Sequence, residues 1–100
     1  MYSQKQIIDI LAQNRHILRQ NFHISRIGLF GSFARNEQTS DSDLDLLIEF
    51  EENTENLYEV KMAVRKFFKE NFNIEVDICR EKYIKPIFKD GILNEAIYVD

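Results

Sequence analysis

The apolar positions of this chain fall into two kinds of rhythm. Ile7, Ile10, Leu11, Asn14, Ile17 and Leu18 keep a helical period, and Phe22 closes the apolar side. Ser3 and Gln6 ahead of them have capping-box spacing, so a helix is expected over about 4–20. RIGLF at 26–30 reads as a short strand ending at Gly31. Ser32 suits an N-cap for a turn or two of helix through Phe33-Ala34-Arg35, which Asn36 stops. NEQTSDS is loop by composition, and DLDLLIEF at 43–50 reads as a second strand. Glu51–Asn53 make a turn. Leu57, Val60, Val64, Phe67 and Phe68 then repeat at helical spacing, which gives a helix over about 54–71. IEVDIC at 74–79 alternates strictly, as a third strand does. Pro86 fits the first turn of a last helix ending near Gly91 or Glu95, and AIYV adds a short strand or packs on that helix.

Helices alternating with strands predict an α/β fold, a small sheet covered by helices. No repeat, low-complexity tract or Pro/Gly-rich linker divides the 100 residues, so a single domain over 1–100 is expected. No run approaches membrane-spanning length, and the N-terminus lacks the apolar block of a secretion signal. With Cys79 the sole cysteine, no intrachain disulfide forms, and a reduced, cytoplasmic setting is expected. The net charge of −4 argues against a broad surface for DNA or RNA but leaves room for a small phosphate site.

Within that frame GSFARNEQTSDSDLD, residues 31–45, stands out. Asp43 and Asp45 are two apart, so in a strand they share a face while Leu44, Leu46 and Ile48 enter the core. Asp77 stands in the middle of the third strand and can join them if the strands are neighbours; Glu75, on the same face, is a competitor. Carboxylates ~4 Å apart repel by roughly 4 kcal/mol per pair at an effective dielectric of ~20. Either one takes a proton or a cation sits among them. A few carboxylates suit Mg²⁺, which completes its shell on water and substrate phosphates, and two such ions can flank an in-line displacement. Gly31 allows a close backbone approach, and Ser32 brings N–H groups and a hydroxyl to one spot suited to a phosphate.

Gly31-Ser32, ten residues, then Asp43-Leu44-Asp45 resembles the signature of the polymerase-β-like nucleotidyltransferases. The fuller GSFAR, SDSDLDLLIEF and IEVDI look like the minimal nucleotidyltransferase (MNT) family, over most of the chain. The resemblance implies a mixed β-sheet flanked by helices. Asp43 and Asp45 would hold the catalytic metals and Asp77 would be the third carboxylate, as ligand or base. Gly31 and Ser32 would bind the triphosphate of ATP, with Arg35 able to touch it or to hold the turn through a nearby acid. The reaction would move a nucleoside monophosphate to a hydroxyl and release pyrophosphate. Relatives of this kind act as antitoxins beside HEPN-family ribonuclease toxins, some by adenylylating a tyrosine of the toxin. Asn36 stands where the family often has Gly, and Asn tolerates the left-handed turn. Polymerases and drug-modifying relatives carry extra domains for the acceptor; these 100 residues leave none over, which favours a protein acceptor. The alternative is an antitoxin that neutralises its partner by covering it.

Other patterns compete for the same residues. Asp41, Asp43, Asp45 and Glu52 match calcium-loop positions 1, 3, 5 and 12, but position 6 is Leu46 where a sharp turn needs Gly. The aromatics at 67, 68 and 72 read as core rather than a base-stacking platform, Cys79 as packing, and Glu49, Glu51 and Glu52 as a solvated strand end. Tyr2, Tyr58, Tyr83 and Tyr98 are candidates for partner contact.

Overall fold

The computed structural model describes residues 1–99. Its order is α1 (Gln4–Gln13), α2 (Arg15–Phe22), β1 (Ile24–Phe30), α3 (Gly31–Ala34), β2 (Leu44–Phe50), α4 (Leu57–Phe72), β3 (Val76–Cys79), a 3₁₀ turn (Glu81–Tyr83), α5 (Pro86–Glu95) and β4 (Ile97–Val99). The strands form one mixed sheet in the order β3-β2-β1-β4. β1 and β2 run antiparallel because only the single turn of α3 and a loop join them, and β1 also pairs antiparallel with β4. β2 and β3 run parallel because the 16 residues of α4 carry the chain back between them.

The expected single helix over 4–20 is two. The capping box at Ser3 and Gln6 forms as expected. At Asn14 the backbone leaves the helical region (φ −100°, ψ 11°), and the Asn14 side chain donates to the Ile10 carbonyl at 2.8 Å. A short amide that bonds the preceding turn competes with helix propagation, so the apolar period survives while the helix breaks. The first strand starts two residues earlier than its alternation suggests, because an irregularity between Ile24 and Arg26 interrupts the period of two. The third strand is shorter than expected, 76–79, although the Leu44 N–H still donates to the Glu75 carbonyl at 2.9 Å. The last helix runs on to Glu95, with Pro86 in its first turn.

One hydrophobic cluster lies between the sheet and α1, α2 and α4. Ile7 and Leu11, Leu18, and Val64 and Phe68 meet Leu29, Leu44, Leu46 and Ile48 there. Phe67, Phe68 and Phe72 form an edge-to-face ring cluster with Phe22, which confirms these aromatics as core. Phe33 of α3 joins the same cluster, so the turn after β1 is anchored by burial.

The opposite face of the sheet is polar. Tyr98 lies on Gly28, where an added Cβ would come within 2.8 Å of the ring. The Tyr98 hydroxyl donates to Glu81, Arg26 stacks over the ring at 3.8 Å, and Arg26 pairs with Glu81 at 3.3 Å. Burial, then the Glu81 hydrogen bond, pushes the Tyr98 hydroxyl up to about 12. Glu49 departs from the solvated role expected of it: it accepts from the Glu81 N–H at 2.9 Å and pairs with Arg80 at 3.4 Å. Of the four tyrosines, Tyr58 and Tyr83 are exposed, while Tyr2 donates to the Phe72 carbonyl. Among the described residues, no helix is long and apolar enough to cross a membrane.

Phe68 is fully buried where α4 meets the sheet. Phe68→Ala is expected to cost about 3–5 kcal/mol of stability, the scale for an emptied aromatic core position, read from denaturant unfolding.

Candidate active site

The polar face gathers the sequence-predicted acids at one end. Asp45 and Asp77 are directly paired across the parallel strands β2 and β3, so their side chains share a face. Asp43 lies just ahead of β2. It is aimed by a closed turn in which the Thr39 N–H donates to Ser42 Oγ at 2.9 Å and the Ser42 N–H donates back to the Thr39 carbonyl at 3.1 Å. Leu44 and Leu46 beside these acids are fully buried, which fixes the direction of every side chain on β2. Leu46 in mid-strand also removes the calcium-loop reading, because the sharp turn it needs is absent.

Gly31 sits against this acidic end. Phe30 is paired with Asp45, and the next residue turns away with φ +73°. A Cβ at Gly31 would overlap Asp45 Oδ2, so both the dihedral and the contact require glycine. The expected N-cap at Ser32 is displaced by two residues: Phe30 takes that position with extended backbone, Gly31 opens α3, and Ser32 lies within its first turn. The open carbonyls at the end of α3 are met by Gln4, whose amide donates to Phe33 O at 3.0 Å and Ala34 O at 2.9 Å. Asn36 adopts the left-handed conformation expected of it, φ 59°.

Arg35 is engaged by acids, Glu37 at 3.2 Å and Glu95 at 3.3 Å. Glu95 also accepts from the Gly31 N–H at 3.1 Å. Sequence reasoning had no signal for this residue, because it lies 64 positions from Gly31 at the end of α5. Asp77 has a distant ion pair with Arg65 of α4 at 4.0 Å. Cys79, two residues on, is half-buried, and burial followed by the Asp77 charge raises its thiol, which suits packing rather than nucleophilic work. Beside Asp43 opens a groove of about 630 Å³, lined among others by Tyr2, Phe33, Ser42, Asn73 and Glu75.

Burial pushes the Asp45 carboxyl above its usual range, and the Asp77 and Asp43 charges push it further. Arg35 opposes the rise and Glu95 adds to it. Among the described residues, no three His, Cys, Asp or Glu side chains stand close enough to hold a metal ion as they are. The donor set nevertheless fits a hard divalent cation: carboxylates on one face, mutually repelling, with a glycine backbone against the central one. A carboxyl raised in this way binds its proton more tightly folded than unfolded, so its ionisation destabilises the fold as pH rises through that range. Asp45→Asn should therefore melt above wild type at neutral pH in metal-free buffer. The difference should shrink as pH falls below the ordinary carboxylate range, as followed by thermal unfolding across pH.

The family model for the nucleotidyltransferase domain matches residues 11–99. A Methanocaldococcus jannaschii protein with the provisional name of protein adenylyltransferase is 33% identical over 100 residues, covering 99% of this chain and all of its own. The protein adenylyltransferase MntA of Thermococcus cleftensis is 30% identical over 99% of this chain and 98% of its own. A solved structure provisionally described as a minimal nucleotidyltransferase superposes with a TM-score of 0.76 at 28% identity, over 96% of this chain and 95% of that one. A toxin–antitoxin crystal structure with AMP-PNP shares the fold, with a TM-score of 0.62 at 16% identity over 97% of this chain and 72% of that one. The glycine turn against paired strand aspartates is thus found in a chain that belongs to the nucleotidyltransferase-domain family, as an enzyme of its minimal, MNT-like branch.

Proposed function

We propose that this nucleotidyltransferase is a protein adenylyltransferase and an antitoxin. It would move AMP from ATP to a hydroxyl, a tyrosine side chain, of a HEPN-family ribonuclease toxin. The observation that carries the reading is the register pair Asp45–Asp77 with Gly31 pressed against Asp45. That arrangement sets two carboxylates side by side with the Gly31 backbone against one of them. Relatives matching this chain end to end bear the name protein adenylyltransferase, and the toxin–antitoxin structure with AMP-PNP supports both the nucleotide and the partner class.

Each residue then has a task. Asp43, Asp45 and Asp77 would hold divalent metal, Mg²⁺ and two ions in the fuller form; the metal would neutralise phosphate charge and favour in-line displacement. Gly31 N–H and the Ser32 hydroxyl would bind phosphate oxygens, and Arg35 lies within reach of the same turn. Asp77, at the edge strand and largely exposed, would accept the proton of an incoming hydroxyl. The groove beside Asp43 has the volume of an ordinary small-ligand pocket and would house the nucleoside.

Co-expression with the protein encoded beside it, followed by intact mass of that partner, tests the proposal. Wild type should add mass in AMP steps, and Asp43→Ala/Asp45→Ala should add none. A partner that binds tightly yet stays unmodified would instead make this a sterically acting antitoxin. In the same assay Asp43→Asn should lower transfer by more than about a hundredfold, the scale of losing one preorganised electrostatic contact. Ser32→Ala should chiefly weaken ATP binding, read by calorimetric titration.

A further inference from the structure

Glu95 is the acid that the proposed chemistry does not use, and it stands on two groups assigned to the nucleotide. Its Oε1 accepts the Gly31 N–H at 3.1 Å, and both of its oxygens lie 3.3 Å from Arg35 Nη1. A carboxylate and a phosphate offer the same thing to an N–H and a guanidinium, namely anionic acceptor oxygens. Two anions cannot share those donors without strong repulsion. The element that carries Glu95 is loosely held. No residue of α5 is buried, and Ile87 and Phe88 are 83% and 58% exposed. Beyond it, β4 is fastened by its pairing with β1 and by Tyr98, so the end of α5 can give way without losing its anchor.

We propose that the Glu95 carboxylate is an internal stand-in for a substrate phosphate, a latch that the triphosphate must displace before it binds Gly31 and Arg35. The proposal rests on the nucleotide site described above and adds its regulation. The chain's own anion satisfies the Gly31 N–H and holds Arg35 against α5. Displacement releases Arg35 Nη1, with Nε still held by Glu37, to the incoming phosphate and loosens the end of α5. Nucleotide occupancy is thereby coupled to the helix whose apolar side chains face solvent.

The test is ATP binding to the isolated chain in magnesium buffer, by calorimetric titration, with wild type, Glu95→Gln and Glu95→Ala. Removing the competitor should tighten ATP binding by about tenfold in Glu95→Ala, the scale of one charge-assisted contact exchanged. Glu95→Gln, which keeps an acceptor but loses the charge, should fall between. Unchanged or weaker binding by a folded Glu95→Ala overturns the latch and makes Glu95 a support for the turn. Should that variant not fold, hydrogen exchange on wild type decides: ATP should speed exchange of the α5 amides, and unchanged or slower exchange overturns the proposal. The partner-mass assay separates this from the transferase reading. Transfer by wild type with no gain in Glu95→Ala sinks the latch alone. Tighter ATP binding with no transfer to any partner sinks the transferase alone, and no ATP binding by any form sinks both.

Discussion

Three carboxylates of one sign gather at one end of the sheet, and the cations near them, Arg65 at 4.0 Å from Asp77 and Arg35 acting on Asp45, offset their repulsion only in part. The cost falls on Asp45, whose ionisation is opposed by burial and by Asp77 and Asp43. What resists the repulsion lies on the other side of the sheet. Leu44 and Leu46, which flank Asp45, are fully buried against the helical layer, and a slip of β2 by one residue would turn them out and the acids in. The helical layer thus supplies the stability that the acidic face spends. Gly31 belongs to the same constraint, because only a residue without a Cβ can turn against Asp45 at that distance.

Much of this was legible because it depends on local periodicity. A spacing of two puts Asp43 and Asp45 on one face of any strand, and the alternation of IEVDIC puts Asp77 outward. Whether Asp77 meets them was left to the neighbourhood of the strands, and it is the return of the chain through α4 that lays β3 beside β2 and pairs Asp45 with Asp77. Asn36 was readable as a left-handed stop because short amides tolerate that conformation. Ser32 was placed two residues off as the cap, since sequence gives the preference of Ser for caps but not the turn that Gly31 forces against Asp45.

What escaped the sequence reading depends on contacts between distant segments. Asn14 occupies an apolar-period position and looks like helix; only its bond to Ile10 shows the break. Glu49 looks solvated by alternation, yet Arg80 and the Glu81 N–H come to it from beyond β3. Glu95 is the furthest case, an ordinary acid at a helix end that becomes part of the site because β4 returns to pair with β1 and brings the end of α5 to the turn.

The two edges of the sheet differ in what they can contribute to function. At β3, Asp77 is exposed on an edge strand, with Arg65 of α4 as a distant partner, so an acceptor hydroxyl can arrive there without displacing packed structure. At β4, the chain closes over the sheet with Tyr98 fixed by Glu81 and Arg26, and that closure carries Glu95 to Gly31. On the proposed reading the acceptor would come to Asp77 and the phosphates to Gly31, on the two sides of β2. The first side is open and polar, and the second is occupied by an internal anion. On that reading the phosphates would have to displace Glu95, while an acceptor at Asp77 would need no such release.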